Sequence, residues 1–185
     1  VAGGTLLTSD PNRPYIQKGW VVIDNGRIQS IQDKKPDRFH PATKVIDAEG
    51  FVITPGFVNV HTHAILSMVR GVAEDMGFAP AYTIGVPHGH DPSPEEAYAM
   101  AQLGGLEALL FGSTIINDTF THQNIALPAM AETGIRAWGC GRIHDVDFTR
   151  VHLGEWTYNT EIGEQTLREA SEPVSYTHLR AHETR

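Results

Sequence analysis

The stretch Pro55-Gly-Phe-Val-Asn-Val-His-Thr-His63 governs how the rest of the chain is read. Gly56-Phe-Val-Asn-Val60 is a near-continuous apolar run of strand length, the pattern expected of a parallel strand buried on both faces. His61 and His63 follow it at i and i+2. Alternate residues of a strand point to one face, so the two imidazoles are expected to project together from its C-terminal end, with Asn59 on the same side. Neutral imidazoles are borderline-soft ligands suited to Zn2+ or Fe2+. A His-x-His triplet alone is more often a surface pair than a site; the apolar strand that delivers this one sets it apart.

Downstream, strand and helix signals alternate. Ser93-Pro94-Glu95-Glu96 opens a helix, with Ser93 as N-cap, Pro94 at the first helical position and Glu96 completing a capping box. Met100, Leu103, Leu106 and Leu110 space one face of it, and Gly112 fits a left-handed stop. Ser113 to Asp118 reads as the next strand, and Pro128 to Thr133 as a short helix ending at Gly134. Ile135 to Cys140 is a third strand and Gly163 to Ala170 a third helix. This order predicts an α/β fold of parallel βαβ units with right-handed crossovers.

Upstream, the pattern is antiparallel. Gly4 to Thr8 is a short strand, and Trp20–Asp24 and Arg27–Ile31 flank Asn25-Gly26, the strongest short hairpin signal. Asp33 to Thr43 is a polar loop broken by Pro36 and Pro41, followed by short strands at Lys44–Asp47 and Phe51–Thr54. A few short strands cannot close a core alone, so this piece needs a partner.

Composition narrows the function classes. The chain has 185 residues, the length of one ordinary domain, and 41% of them are hydrophobic. No apolar run approaches the roughly 18 residues of a membrane span, so no membrane partner is expected. Fourteen basic against 22 acidic side chains, a formal charge of −8, argue against nucleic acid, whose partners need a net basic face. The single Cys140 excludes an internal disulfide framework and a CxxC zinc site, and it is expected to be buried filler. An acidic chain with one thiol fits the cytoplasm. Val174 to Thr184, VSYTHLRAHET, resembles the in-frame translation of a transposase-type sequencing adaptor. Residues 173–185 are therefore set aside as a non-native tail. With Val1 in place of an initiating Met, both ends look cut.

The motifs together resemble a known family. Val45-Ile-Asp-Ala-Glu-Gly50 followed by Pro55-Gly-Phe-Val-Asn-Val-His-Thr-His63 is similar to the opening signature of the amidohydrolase superfamily. Met68-Val-Arg-Gly71 with Glu74-Asp75 resembles the branch holding cytosine, adenosine-type and guanine deaminases and the triazine hydrolases. The resemblance implies a small β-sandwich built from both chain ends beside a (β/α)8 TIM barrel with one catalytic metal. Residues 1–54 then correspond to the N-terminal strands of the sandwich, and 55–172 to the first three or so β/α units of the barrel. It further implies one Zn2+ (or Fe2+) per subunit, held in this part by His61 and His63. Metal-activated water would deaminate, or dehalogenate, a small-molecule N-heterocycle. A complete barrel takes about 250 residues. The family's further ligands on strands five, six and eight, and its proton-shuttling Glu, have no counterpart here. The chain as it stands is therefore expected to be a truncated, inactive part of its parent, whose assembly into a homo-oligomer is left open.

Barrel active sites lie at the C-terminal ends of the strands, which makes Asp118, His122 and Arg142 candidate substrate-contacting residues, with His144 and Asp145 beside them. The alternative is that Asp118 caps a turn and the others sit on solvated loops. His90, in His88-Gly89-His90, is a further candidate from the long loop after the first strand. Adenosine-type members carry a Pro-x-Glu there that binds the ribose. Aligning Pro87 with it puts Gly89 in place of the Glu, which favours a smaller or different heterocycle over a nucleoside. Two other readings stay open: a cyclic amidase or imidase with a binuclear site, and a non-catalytic remnant or interaction module.

Overall fold

The computed structural model describes residues 1–38, 40–41, 43–71 and 92–171. His88, His90, Pro87, Gly89, Glu74-Asp75 and the 173–185 tail all lie outside the described residues. The chain divides into two compact units, 1–55 and 56–185.

In the first unit, β1 (Ala2–Leu7) is followed by β2 (Tyr15–Asp24) and β3 (Arg27–Gln32). Asn25 and Gly26 both take positive φ, 49° and 70°, the pair of left-handed residues that a two-residue hairpin needs. The last strand, β4 (Val52–Ile53), runs parallel to β1, giving the order β3-β2-β1-β4. The strand expected at Lys44–Asp47 is reduced to a single bridge between Asp47 and Ala2, with Ala2 N–H donating to Ile46 O. Ala2, Leu6, Ile16 and Ala48 are its deeply buried apolar side chains among the described residues. So thin a core is what one short-stranded sheet can bury.

The second unit has the expected alternation. Its elements are β5 (Phe57–Thr62), α1 (Pro94–Leu110), β6 (Ser113–Phe120), α2 (Gln123–Glu132), β7 (Arg136–Gly141) and α3 (Thr160–Ser171). Among the described residues, the 3-10 turns Ala64–Val69 and Phe148–Leu153 follow β5 and β7. The sheet order is β5-β6-β7, every pair parallel. The core lies where the helices cover β6, with Ile116 and Phe120 against Ile65, Ala97, Ala101, Ala126, Leu127 and Met130. Among the described residues, no helix is long and apolar enough to cross a membrane.

Three expectations are corrected. β5 is not buried on both faces: Phe57, Val58 and Val60 are exposed, because β5 has one sheet neighbour among the described residues. The predicted capping box at Ser93 and Glu96 forms in full, yet the inward face of α1 is Ala97, Ala101 and Gly105, while Leu103, Leu106 and Leu110 are exposed. The reason is close approach. A Cβ on Gly104 would stand 2.7 Å from the Ala64 carbonyl oxygen, so only small side chains fit between α1 and the turn after β5. Finally, α2 begins five residues before Pro128 and carries that proline inside it.

Candidate metal centre

The site starts from an irregularity in β5. Asn59 pairs with Ile116 and Thr62 with Asp118, so three steps along β5 match two along β6. This is a β-bulge, which re-aims the side chains beyond it. Asn59 lines a cleft with His63 and with Gly104, Glu107 and Ala108 of α1, and its Oδ1 accepts the His61 main-chain N–H at 3.1 Å.

Past the bulge the two histidines converge. Nε2 of His61 and Nε2 of His63 are 3.2 Å apart, with ring centroids 4.7 Å apart and planes at 74°. His61 is exposed; His63 is half-buried, its ring 5.0 Å from that of Phe120. Burial, and then the neighbouring His61, hold the His63 pKa below 6.5; Asp118 and the nearby Thr119 backbone oppose this, and Arg142 adds to it. The ring is thus neutral near pH 7, the form that ligates a metal. Nδ1 of His63 is buried and makes no hydrogen bond.

These donors fit a divalent transition metal. Zn–N arms of about 2.0–2.1 Å at a tetrahedral angle put two ligand nitrogens about 3.3 Å apart, and the observed separation is 3.2 Å. Among the described residues no group of three or more His, Cys, Asp or Glu converges, so the pair accounts for only part of a ligand set.

The remaining candidates separate by role. Asp118 is wholly buried (0% exposed), so it does not open to the mouth as a substrate-contacting residue would. Its Oδ2 accepts the Ala64 N–H at 2.6 Å, and its Oδ1 accepts from Gln123 Nε2. Burial pushes its carboxyl pKa upward, against the two donors and the two histidines. His122 sits in the left-handed region, φ 57°, and caps α2 with its main chain; its carbonyl accepts from the Ile125 and Ala126 N–H groups. Arg142 stands at the end of β7, its guanidinium carbon 4.9 Å from the Phe148 ring centroid. With His63, Thr119, Gly141 and Cys140 it lines a hollow of about 370 Å3. Cys140 is exposed there rather than buried. His144 has its Nδ1 3.1 Å from Val146 O and its ring on Phe148. Of the mouth candidates, then, Arg142 shares a hollow with His63.

Gln123, which holds Asp118, carried no signal, since it begins a helix with no visible marker. Arg70 of the family-like Arg70-Gly71 pair makes a bidentate ion pair with Glu107 of α1, at an exposed site.

Comparison with known proteins shows the family and the fold. The model of the Amidohydrolase family matches residues 52–183. The chain is 34% identical over 142 residues to a 5-methylthioadenosine/S-adenosylhomocysteine deaminase of Caldicellulosiruptor saccharolyticus, covering 74% of this chain and 32% of that protein. It is 35% identical over 133 residues to a 5'-deoxyadenosine deaminase of Methanosarcina mazei, covering 71% and 30%. It thus spans about a third of the length of the curated relatives it matches. In fold it is similar to an adenosine deaminase of Xanthomonas campestris solved with bound zinc, with a TM-score of 0.65 at 21% identity over 96% of this chain and 39% of that one. The family match over most of the second unit, carried through the strand that bears His61 and His63, places this chain in the Amidohydrolase family.

Proposed function

We propose that these residues form the opening β/α units of a metal-dependent hydrolase that removes an amino group from a small N-heterocyclic molecule. The observation that carries this reading is the convergence of two Nε2 atoms at 3.2 Å on the C-terminal end of β5. His61 and His63 would hold the metal, Zn2+ or Fe2+, through those atoms. When bound, such an ion supplies Lewis acidity that makes hydroxide available near neutral pH. Asn59 holds the main chain of His61 across the bulge. Burial keeps the His63 ring neutral and free to donate its lone pair. Arg142 supplies a fixed positive group beside His63, suited to orient an electron-rich edge of a substrate. Both relatives above are named for deamination of adenine nucleosides, which favours a nucleoside over the smaller heterocycle suggested by Gly89. Cytoplasmic residence and the absence of nucleic-acid partners remain part of this proposal. So does the inactivity of residues 1–185 by themselves.

The test uses the longer polypeptide that carries these residues, stripped of metal and reloaded with Zn2+. Ammonia release from adenosine, 5'-deoxyadenosine, guanine and cytosine should depend on the ion. Replacing both histidines (His61→Ala with His63→Ala) should cut it more than about 100-fold, beyond the 10–100-fold typical of losing an outer-shell partner. Undiminished ammonia release from that double variant would end the reading.

A further inference from the structure

We propose that Asp118, Gln123 and Gly139 form a buried tie that positions His63 through the main chain of Ala64; this rests on the reading of His63 as a metal ligand. Ala64 is the first residue of the 3-10 turn that follows β5, directly after His63. It is buried, so its N–H needs a partner inside the protein. That partner is Asp118, 54 positions away, whose Oδ2 lies 2.6 Å from the Ala64 nitrogen. The turn itself offers no substitute, since His63 makes no side-chain cap. A wholly buried carboxylate is costly unless both oxygens are satisfied, and the second is taken by Gln123 from the first position of α2.

β7 makes room for this arrangement. A Cβ on Gly139 would stand 2.2 Å from Gln123 Oε1 and 2.8 Å from Leu127 Cδ2. Only a residue without a side chain lets Gln123 lie across the sheet and reach Asp118. Gly139 lies opposite Asp118 in the β6–β7 register, so β7 leaves the space in which Gln123 holds the carboxylate that accepts from Ala64, next to His63. Asp118 exposes no surface to a substrate and makes no hydrogen bond to either imidazole, so it is a positioning residue.

The tie predicts an ordered set of responses. In Asp118→Ala both bonds are lost. In Asp118→Asn both can be kept: the amide oxygen accepts from Ala64, and the amide nitrogen donates to Gln123 Oε1, which has no partner at present, once that side chain turns over. Two measurements on the full polypeptide read the result. Hydrogen exchange of the metal-free protein should show the amides around Thr62–Leu66 exchanging at least about 10-fold faster in Asp118→Ala, and within about 3-fold of wild type in Asp118→Asn. Zinc affinity, from competition with a chromophoric chelator, should fall about 10–100-fold in Asp118→Ala and stay within about 3-fold in Asp118→Asn. Where Asp118→Ala does not fold, Gln123→Met serves instead, with a loss of about 3–10-fold, at the low end of that range. Unchanged exchange or unchanged zinc affinity in the folded variant overturns the tie, as does an Asn variant as weak as the Ala one. Zinc uptake that His63→Ala leaves untouched removes the metal reading itself. Failure of the tie alone shows instead as zinc uptake that depends on His63 and not on Asp118.

Discussion

β5 and β6 are neighbours in one parallel sheet, both rich in β-branched and apolar residues, and they meet opposite fates. Every second residue from Ile116 to Phe120 is buried in β6, whereas Phe57, Val58 and Val60 of β5 are exposed. The chemistry divides the other way. The exposed strand leads into the converging imidazoles, and the buried one carries the carboxylate that holds the main chain just after His63. A strand flanked on both sides and covered by helices can hold a buried charge in place. A strand with one neighbour can present ligands to whatever approaches. The difference comes from position in the sheet, since the residues of the two runs are of the same type.

The contrast can be broken by experiment. Its largest expected consequence is at Ile116, where truncation to Ala should cost about 2–5 kcal/mol. Val60, 73% exposed, should tolerate Val60→Thr within about 0.5 kcal/mol. Chemical denaturation of both variants measures the gap, and equal losses would mean that β5 is as enclosed as β6. Next is the seam between α1 and the turn after β5. Gly104→Ala should cost about 1–3 kcal/mol through overpacking against the Ala64 backbone. Leu106→Ala, on the exposed face of the same helix, should change the melting temperature much less. The smallest effect sharpens the comparison at the far side of the sheet. Burial, and less strongly Arg142, hold the His144 pKa below 6.5, against Val146 O, Asp145 and Glu169. The unfolded chain therefore binds a proton more readily than the folded one in the window just below pH 6.5. Stability from this group is present above 6.5 and is lost as pH falls through the lower folded value. Melting curves of wild type and His144→Gln between pH 7.5 and 5 should show the wild type losing its relative advantage on acidification. The His63 shift has the same direction, so the variant keeps some slope of its own.

Much of both units was legible in the sequence. Ser93, Pro94 and Glu96 announced the start of α1 because a capping box is satisfied within four residues. Asn25-Gly26 announced the β2–β3 hairpin because the turn needs positive φ at both positions. The His61–His63 convergence was also anticipated, since two residues apart is a local relation. What failed were inferences that reached across elements. The leucines of α1 read as its core face, but the approach of Ala64 to Gly104 turned the small residues inward. Asp118 read as facing the mouth, although Ala64 and Gln123 claim both of its oxygens.

By itself, then, the amino-acid order determined the alternation of strands and helices, the caps and turns, the family resemblance and the pair of imidazoles. All of these depend on residues close together along the chain. Only the tertiary structure decided which strand is enclosed, which face of α1 packs and where the carboxylate of Asp118 points. Those outcomes depend on which distant backbone fills the space beside a side chain, and pairing over 54 residues leaves no periodic trace in the sequence.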